Sequence, residues 1–315
     1  MLETVRQAAG ILDRRFLLNA FFPSLIFWSA IAFVIALPRG VVSVASVWAT
    51  QPATVQIIFA LGFLAWTWFW AGIIASQWRS LIRIYEGYWH KRVAWLLGLG
   101  RAWHEKRMDT VFALGEPDTQ YFEYPQKKDK SQLMPTRIGN ILKSAELYSF
   151  YRYRADAIIV WPRLYHLFPE RFAKSVDDAW AALEFLLVVS ALSVIFAVFA
   201  GSYLLIVGAS WWVFLLCFWG SLALAVGTCY GAVGSALDYG EHLKAGFDLY
   251  RNSLFEQLRL VPPEDLGNER EFWRKVVLFL YRDRPHDLPY TAGQGISSHE
   301  PVGPSSGFIV GGEPD

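Results

Sequence analysis

The stretch FLLVVSALSVIFAVFAGSYLLIVGASWWVFLLCFWGSLALAVGTCYGAVGSAL, residues 185–237, runs for 53 positions without a charged side chain. A helix crossing a hydrocarbon core about 30 Å thick needs about 20 such residues. The run is too long for one crossing and fits two joined by a tight turn, which places spans near 181–203 and 209–233. Residues 16–38 and 40–78 are also free of charge, and they place two more spans near 17–38 and 53–76. Four apolar runs of this length predict an all-α polytopic membrane protein rather than buried helices of a globular core.

The basic residues set the expected orientation. Of 29 Lys and Arg, three precede the first span, seventeen lie between the second and third, and eight follow the fourth, leaving Arg39 alone on the opposite side. The positive-inside rule then predicts two hairpins with short outer turns, both termini in the cytoplasm, and a bacterial inner (plasma) membrane. The formal net charge of +1 gives no reason to expect nucleic acid. Basic side chains gathered on one side are suited instead to anionic lipid headgroups. Cys217 and Cys229 both fall inside the fourth span, so no disulfide framework is expected.

The remaining segments divide accordingly. Residues 1–16 read as an amphipathic helix in the inner interface, with Leu2, Val5, Ala9 and Leu12 on one side. Hairpins occupy 17–76 and 181–233, with a cytoplasmic helical region at 77–180 and cytoplasmic C-terminal helices at 234–288. No proline falls between Pro52 and Pro117, so the second span is expected to continue as one helix carrying Trp78, Leu81, Ile82, Tyr85 and Trp89. The fourth span is expected to continue through Leu243, Phe247, Tyr250, Leu254 and Leu258 until Pro262-Pro263 stops it. A helix is predicted from Arg137, and another capped by Asp265. Residues 289–315 hold six Gly and four Pro, a composition that predicts disorder.

Two groups of residues stand out as candidate sites. In the fourth span Gly220, Ala223, Gly227, Gly231, Gly234 and Ser235 share a face of small residues, which permits close helix packing between subunits or against the third span. Between spans two and three, Arg137, Asn140, Arg152, Tyr153, Arg154, Asp156, Trp161 and Arg163 form a polar-aromatic cluster. That mixture of cations, a carboxylate and rings suits a lipid headgroup, a nucleotide or a partner protein, and equally an interfacial belt. Glu184 is the one candidate for an ionisable group within a span, reads as a carboxylate at the inner interface, and leaves the apolar runs without the charges of a proton relay. The histidines and cysteines have no metal-ligand spacing, so neither metal nor cofactor is expected.

The segment Pro135-Thr-Arg-Ile-Gly-Asn140, with Arg154-Ala-Asp156 and Trp161-Pro-Arg-Leu164, resembles a motif of uncharacterised bacterial four-span inner-membrane proteins. The opening Arg14-Arg15-Phe16-Leu17-Leu18 before Phe22-Pro23 is similar too. The resemblance implies the same arrangement of spans and brings no activity with it. Three functions follow as expectations. The first is a homo-oligomer presenting a cytoplasmic helical assembly to a partner or signal, without catalysis. The second is an oligomeric channel or membrane-permeabilising effector gated by that assembly. The third is a membrane-bound enzyme acting on lipid or nucleotide through the Arg/Tyr/Asp cluster.

Overall fold

A computed structural model describes residues 14–89, 94–115, 121–125, 130–282 and 288–289, and these are all-helical with no strand among them. The expected interfacial helix at 2–15 and the tail beyond Pro289 lie almost wholly outside the described residues. Four helices are long and apolar enough to cross a membrane: α1 (Arg14–Arg39), α3 (Ala53–Ser76), α8 (Glu170–Ile206) and α9 (Trp211–Gln257). Between them come α2 (Val41–Ala49), α4 (Trp78–Glu86), α5 (Ala94–Leu114), α6 (Arg137–Tyr153) and α7 (Ala157–Tyr165), and α10 (Leu266–Arg282) closes the series.

Each terminus has a physical cause. In α1 a π-helical turn, Leu17–Phe21, lets Phe22 N–H reach back five residues to Leu17 O just ahead of Pro23, which has no N–H to give. The widened turn directs Asn19 into the interior, where its amide donates to Ala181 O at 2.9 Å and to Glu184 at 3.3 Å. Between α8 and α9 the chain turns at Gly208, whose φ of 63° is left-handed. The 47 residues of α9 span about 70 Å at 1.5 Å per residue, more than twice the hydrocarbon thickness. Its charged half, from Asp238 onward, ends at Gln257, ahead of Pro262-Pro263.

The second span departs from its expected course. α3 stops at Ser76 and bends at Gln77, and α4 is a separate helix that ends at Gly87 with φ 98°. There Tyr88 N–H bonds Arg83 O at 2.8 Å, a left-handed glycine stop. The anticipated apolar stripe is real but is used sideways. Ile82, with Trp78, Leu81 and Tyr85, packs against Leu183, Leu187, Ala232 and Ala236 of α8 and α9. That lateral burial outweighs the advantage of one straight helix.

The apolar helices pack through different devices. Trp28 of α1 sits 5.3 Å from Trp66 and 5.7 Å from Trp70 of α3, ring centre to ring centre. The α8–α9 pair relies on small residues: Ser190 Oγ donates to Ala225 O at 2.9 Å, and Gly201 lies under the Phe214 and Phe218 rings. Beyond the apolar runs, α6, α7, α9 and α10 enclose a core in which Val160, Leu164, Phe247, Phe255, Trp273 and Val276 are fully buried. Asp265 caps α10 as expected, accepting from Asn268 N–H at 2.8 Å.

Candidate functional site

The motif residues near 135–140 form a clasp. Thr136 caps α6, accepting from Gly139 N–H at 3.0 Å, while its hydroxyl donates to Tyr85 O at 2.7 Å. Asn140 is buried: its amide oxygen accepts from Met134 N–H at 2.8 Å, and its NH2 donates to Met134 O and Thr136 O at 2.9 Å each. Gly139 brings its backbone against Glu86 O, and Pro135 fills the space that side chains at Gly87 and Gly100 would need. Arg137 makes a two-pronged pair with the buried Glu123, its Nε at 3.1 Å from Oε2 and its Nη2 against Oε1. The segment thereby fixes the end of α4, the middle of α5 and the start of α6 to one another.

A second part of the motif makes a corner. Arg154 closes α6 in the left-handed region, with φ 64°, and its guanidinium lies 5.1 Å from the Phe150 ring centre. Asp156 then caps α7, accepting from Ile158 N–H at 2.9 Å. Trp161 packs on Phe168 and Phe247 at 5.4 and 5.9 Å, over a groove left open by Gly246. Arg163 donates to Ile159 O at 2.6 Å on the exposed side of α7. Of the eight cluster residues, the structure brings Arg152 and Tyr153 together, and the other six have the separate local partners just described.

Arg152 and Tyr153 meet at Asp248 of α9, a residue absent from the sequence-based selection. Tyr148 Oη and Tyr153 Oη donate to its two carboxylate oxygens at 2.8 and 2.5 Å. Arg152 donates to Tyr148 Oη at 2.9 Å and approaches Asp248 to 4.0 Å. Burial and the Asp248 carboxylate raise both phenols, Tyr153 to about 12, so each remains a donor at neutral pH. One turn earlier, Lys244 is 3% exposed. Its ammonium donates to Tyr121 O at 2.5 Å and stands 3.9 Å from the Tyr121 ring centre. Desolvation lowers it from the usual 10.5 to about 8.

These residues border an open cavity of about 420 Å3 lined by Tyr121, Phe122, Phe172, Glu241, His242, Lys244, Ala245 and Asp248. Rings, an amine, carboxylates and an imidazole line it, with Lys244 and Asp248 already bonded to Tyr121, Tyr148 and Tyr153. The signal in the sequence was the spacing Lys244, Asp248, Arg251, a charged line beside the apolar stripe of α9. Glu123 and Tyr121 carried no comparable signal, because their partners Arg137 and Lys244 come from other elements. Among the described residues, no group of three His, Cys, Asp or Glu side chains is placed to hold a metal ion.

Lys244 yields a pH prediction. Below about pH 8 the ammonium occupies a site that favours the neutral amine, while the unfolded chain keeps its proton up to about 10.5. The unfolded state therefore binds more protons between these limits, and stability from this group rises with pH across that window. A shift of this size is worth at most roughly 3 kcal/mol. Thermal midpoints of the wild type and Lys244→Met, measured in detergent from pH 7 to 10.5, should converge or cross as the wild type gains. Parallel curves would contradict it.

The small-residue face of α9 points away from α8. Along residues 220–240 of α9, Ala225, Ala232, Ala236 and Gly240 are buried against neighbouring helices, whereas Gly220, Ala223, Gly227, Gly231 and Gly234 are exposed and Ser235 is half-buried. A Cβ added at Gly220, Gly227 or Gly234 would meet nothing, and only Gly231 has a neighbour, Leu186 at 3.6 Å. Glu184 is 8% exposed and accepts from Arg15, with Arg15 Nη2 at 2.7 Å, so this charge is paired across α1 and α8.

No protein-family profile, curated protein or solved structure matches the chain.

Proposed function

We propose that this chain is a multi-pass protein of a bacterial inner membrane that self-associates through α9 and presents its polar helices to a cytoplasmic partner or signal. In this reading the four apolar helices cross as two hairpins, both termini lie in the cytoplasm, and anionic lipid faces the basic segments. The observation that carries it is the open face of Gly220, Gly227 and Gly234, where small residues leave backbone accessible on the side away from α8. In lipid, helix pairing draws on close van der Waals contact, which such a face permits and a leucine face does not. The basin between Lys244 and Asp248 gives the assembly a place to receive a ligand or peptide side chain.

The test replaces Gly220, Gly227 and Gly234 singly by leucine, positions where the added side chain meets nothing within the chain. Gly231 is left alone because of Leu186. The expected result is a smaller particle by light scattering in detergent and weakened cross-linking in the membrane, with unchanged helix content. Particles of unchanged size for all three variants would refute association through this face.

A further inference from the structure

We propose that α5 lies in the plane of the membrane, with its outward face seated in an anionic headgroup layer. The inference rests on the reading of α8 and α9 as membrane spans. One side of α5 is internal: His104, Met108 and Val111 are buried, with Met108 packed against Tyr124 and Leu133. The opposite side presents Trp95, Leu99, Trp103 and Leu114, which are 66, 62, 56 and 69% exposed, with Leu96 beside them. A contiguous exposed stripe of large rings and leucines marks an interaction surface, and tryptophan at headgroup depth buries its ring and keeps its N–H wet.

Charge on α5 is sorted to match. Its acidic residues Glu105 and Asp109 are both taken up by Lys130, at 2.9 and 3.0 Å. Lys106 and Arg107 border the Trp103 and Leu114 groove, with Arg107 5.6 Å from the Trp103 ring centre and also in reach of Tyr124 on the internal side. An apolar stripe edged by cations is the pattern of a helix resting on anionic lipid.

Depth completes the argument. Gly100 of α5 is pressed against Pro135 O, and Pro135 also abuts Gly87 at the end of α4. The same clasp touches the apolar runs, for Tyr85 meets Ser190 of α8 and Arg137 meets Tyr230 of α9. Tyr230 lies three residues from the end of the span placed near 209–233, while Ser190 lies deeper along α8, so α5, tied to this clasp through Gly100, is held close to the level where α9 leaves the lipid.

The experiment uses full-length protein with Cys217→Ser and Cys229→Ser, spin-labelled at Leu99→Cys and reconstituted into phosphatidylcholine bilayers with or without phosphatidylglycerol. Reference labels are placed at Val198→Cys on the exposed face of α8 and at Glu264→Cys ahead of α10. With phosphatidylglycerol, the ratio of oxygen to nickel-chelate accessibility at position 99 should exceed that at 264 severalfold and approach that at 198. Lys106→Glu with Arg107→Glu should return it toward the water reference. A water-like ratio at 99 with a lipid-like ratio at 198 overturns the inference while leaving the spans intact. Shielding of 99 from both reagents also overturns it, in favour of a protein occupant. A water-like ratio at 198 means that the spanning reading itself has failed.

Discussion

Gly139→Ala should lower the thermal midpoint of the purified protein by about 5–10 °C, on the scale of about 2–4 °C per kcal/mol for a domain of this size. The added methyl would stand 2.2 Å from Glu86 O, 2.8 Å from Thr136 Oγ1 and 2.9 Å from Met134 Cβ. The first obstacle is backbone, in a segment already fixed by Asn140 and by the left-handed stop at Gly87, so no side-chain rotation relieves it. Overpacking typically costs about 1–3 kcal/mol, and a rigid obstacle puts this site at the upper end or above it. Gly62→Ala in α3 is the matched control, because its Cβ would meet nothing and alanine favours helix by about 0.5–1 kcal/mol. The two variants should shift the midpoint in opposite directions, and equal shifts would show that the clasp is not a tight junction.

The contrast between these two glycines also explains what could be read from the sequence. Burial in lipid requires long charge-free runs, so helices within residues 16–38, 53–76 and 185–237 were legible from composition alone. Local chemistry gave the caps at Asp265 and the start of α6 at Arg137, because capping is decided within four residues. The bend at Gln77 was not legible. No proline or glycine marks it, and it exists because the Ile82 stripe finds α8 and α9 beside it. Gly87 was a readable stop that the apolar spacing through Trp89 obscured.

The polar cluster at 137–163 was harder for the same reason. Its residues look like a surface patch when only neighbours in sequence are considered. For Arg152 and Tyr153 the organising partner lies far along the chain, since Tyr153 reaches Asp248 across 95 residues. Asn140, Arg154 and Asp156 turn out to hold helix ends: the amide of Asn140 accepts and donates at the start of α6, Arg154 closes α6 in the left-handed region and Asp156 caps α7. The Lys244 and Asp248 basin emerges only when α9 is laid against Phe172 of α8 and the 121–125 segment.

Glu184→Ala should destabilise the α1–α8 contact by about 2 kcal/mol, while the double replacement Arg15→Met with Glu184→Leu should recover most of that loss. Removing one member of a buried ion pair costs about 3–5 kcal/mol because the other charge is left without a partner. Here Glu184 has a side chain 10% exposed but Arg15 is 37% exposed, so the abandoned guanidinium can turn partly toward water and the cost falls below that range. Asn19 adds to it, since its amide loses Glu184 and retains only Ala181 O. In the double variant neither charge remains to be solvated, and apolar replacements at such sites are often neutral or stabilising. The cycle of wild type, Arg15→Met, Glu184→Leu and the double variant should therefore give a favourable coupling energy of at least about 1 kcal/mol. Additive single effects would mean that Glu184 is stabilised by something other than Arg15. Glu184→Gln separates the two contributions, since its amide oxygen can still accept from Asn19: a midpoint between wild type and Glu184→Ala assigns the difference to charge.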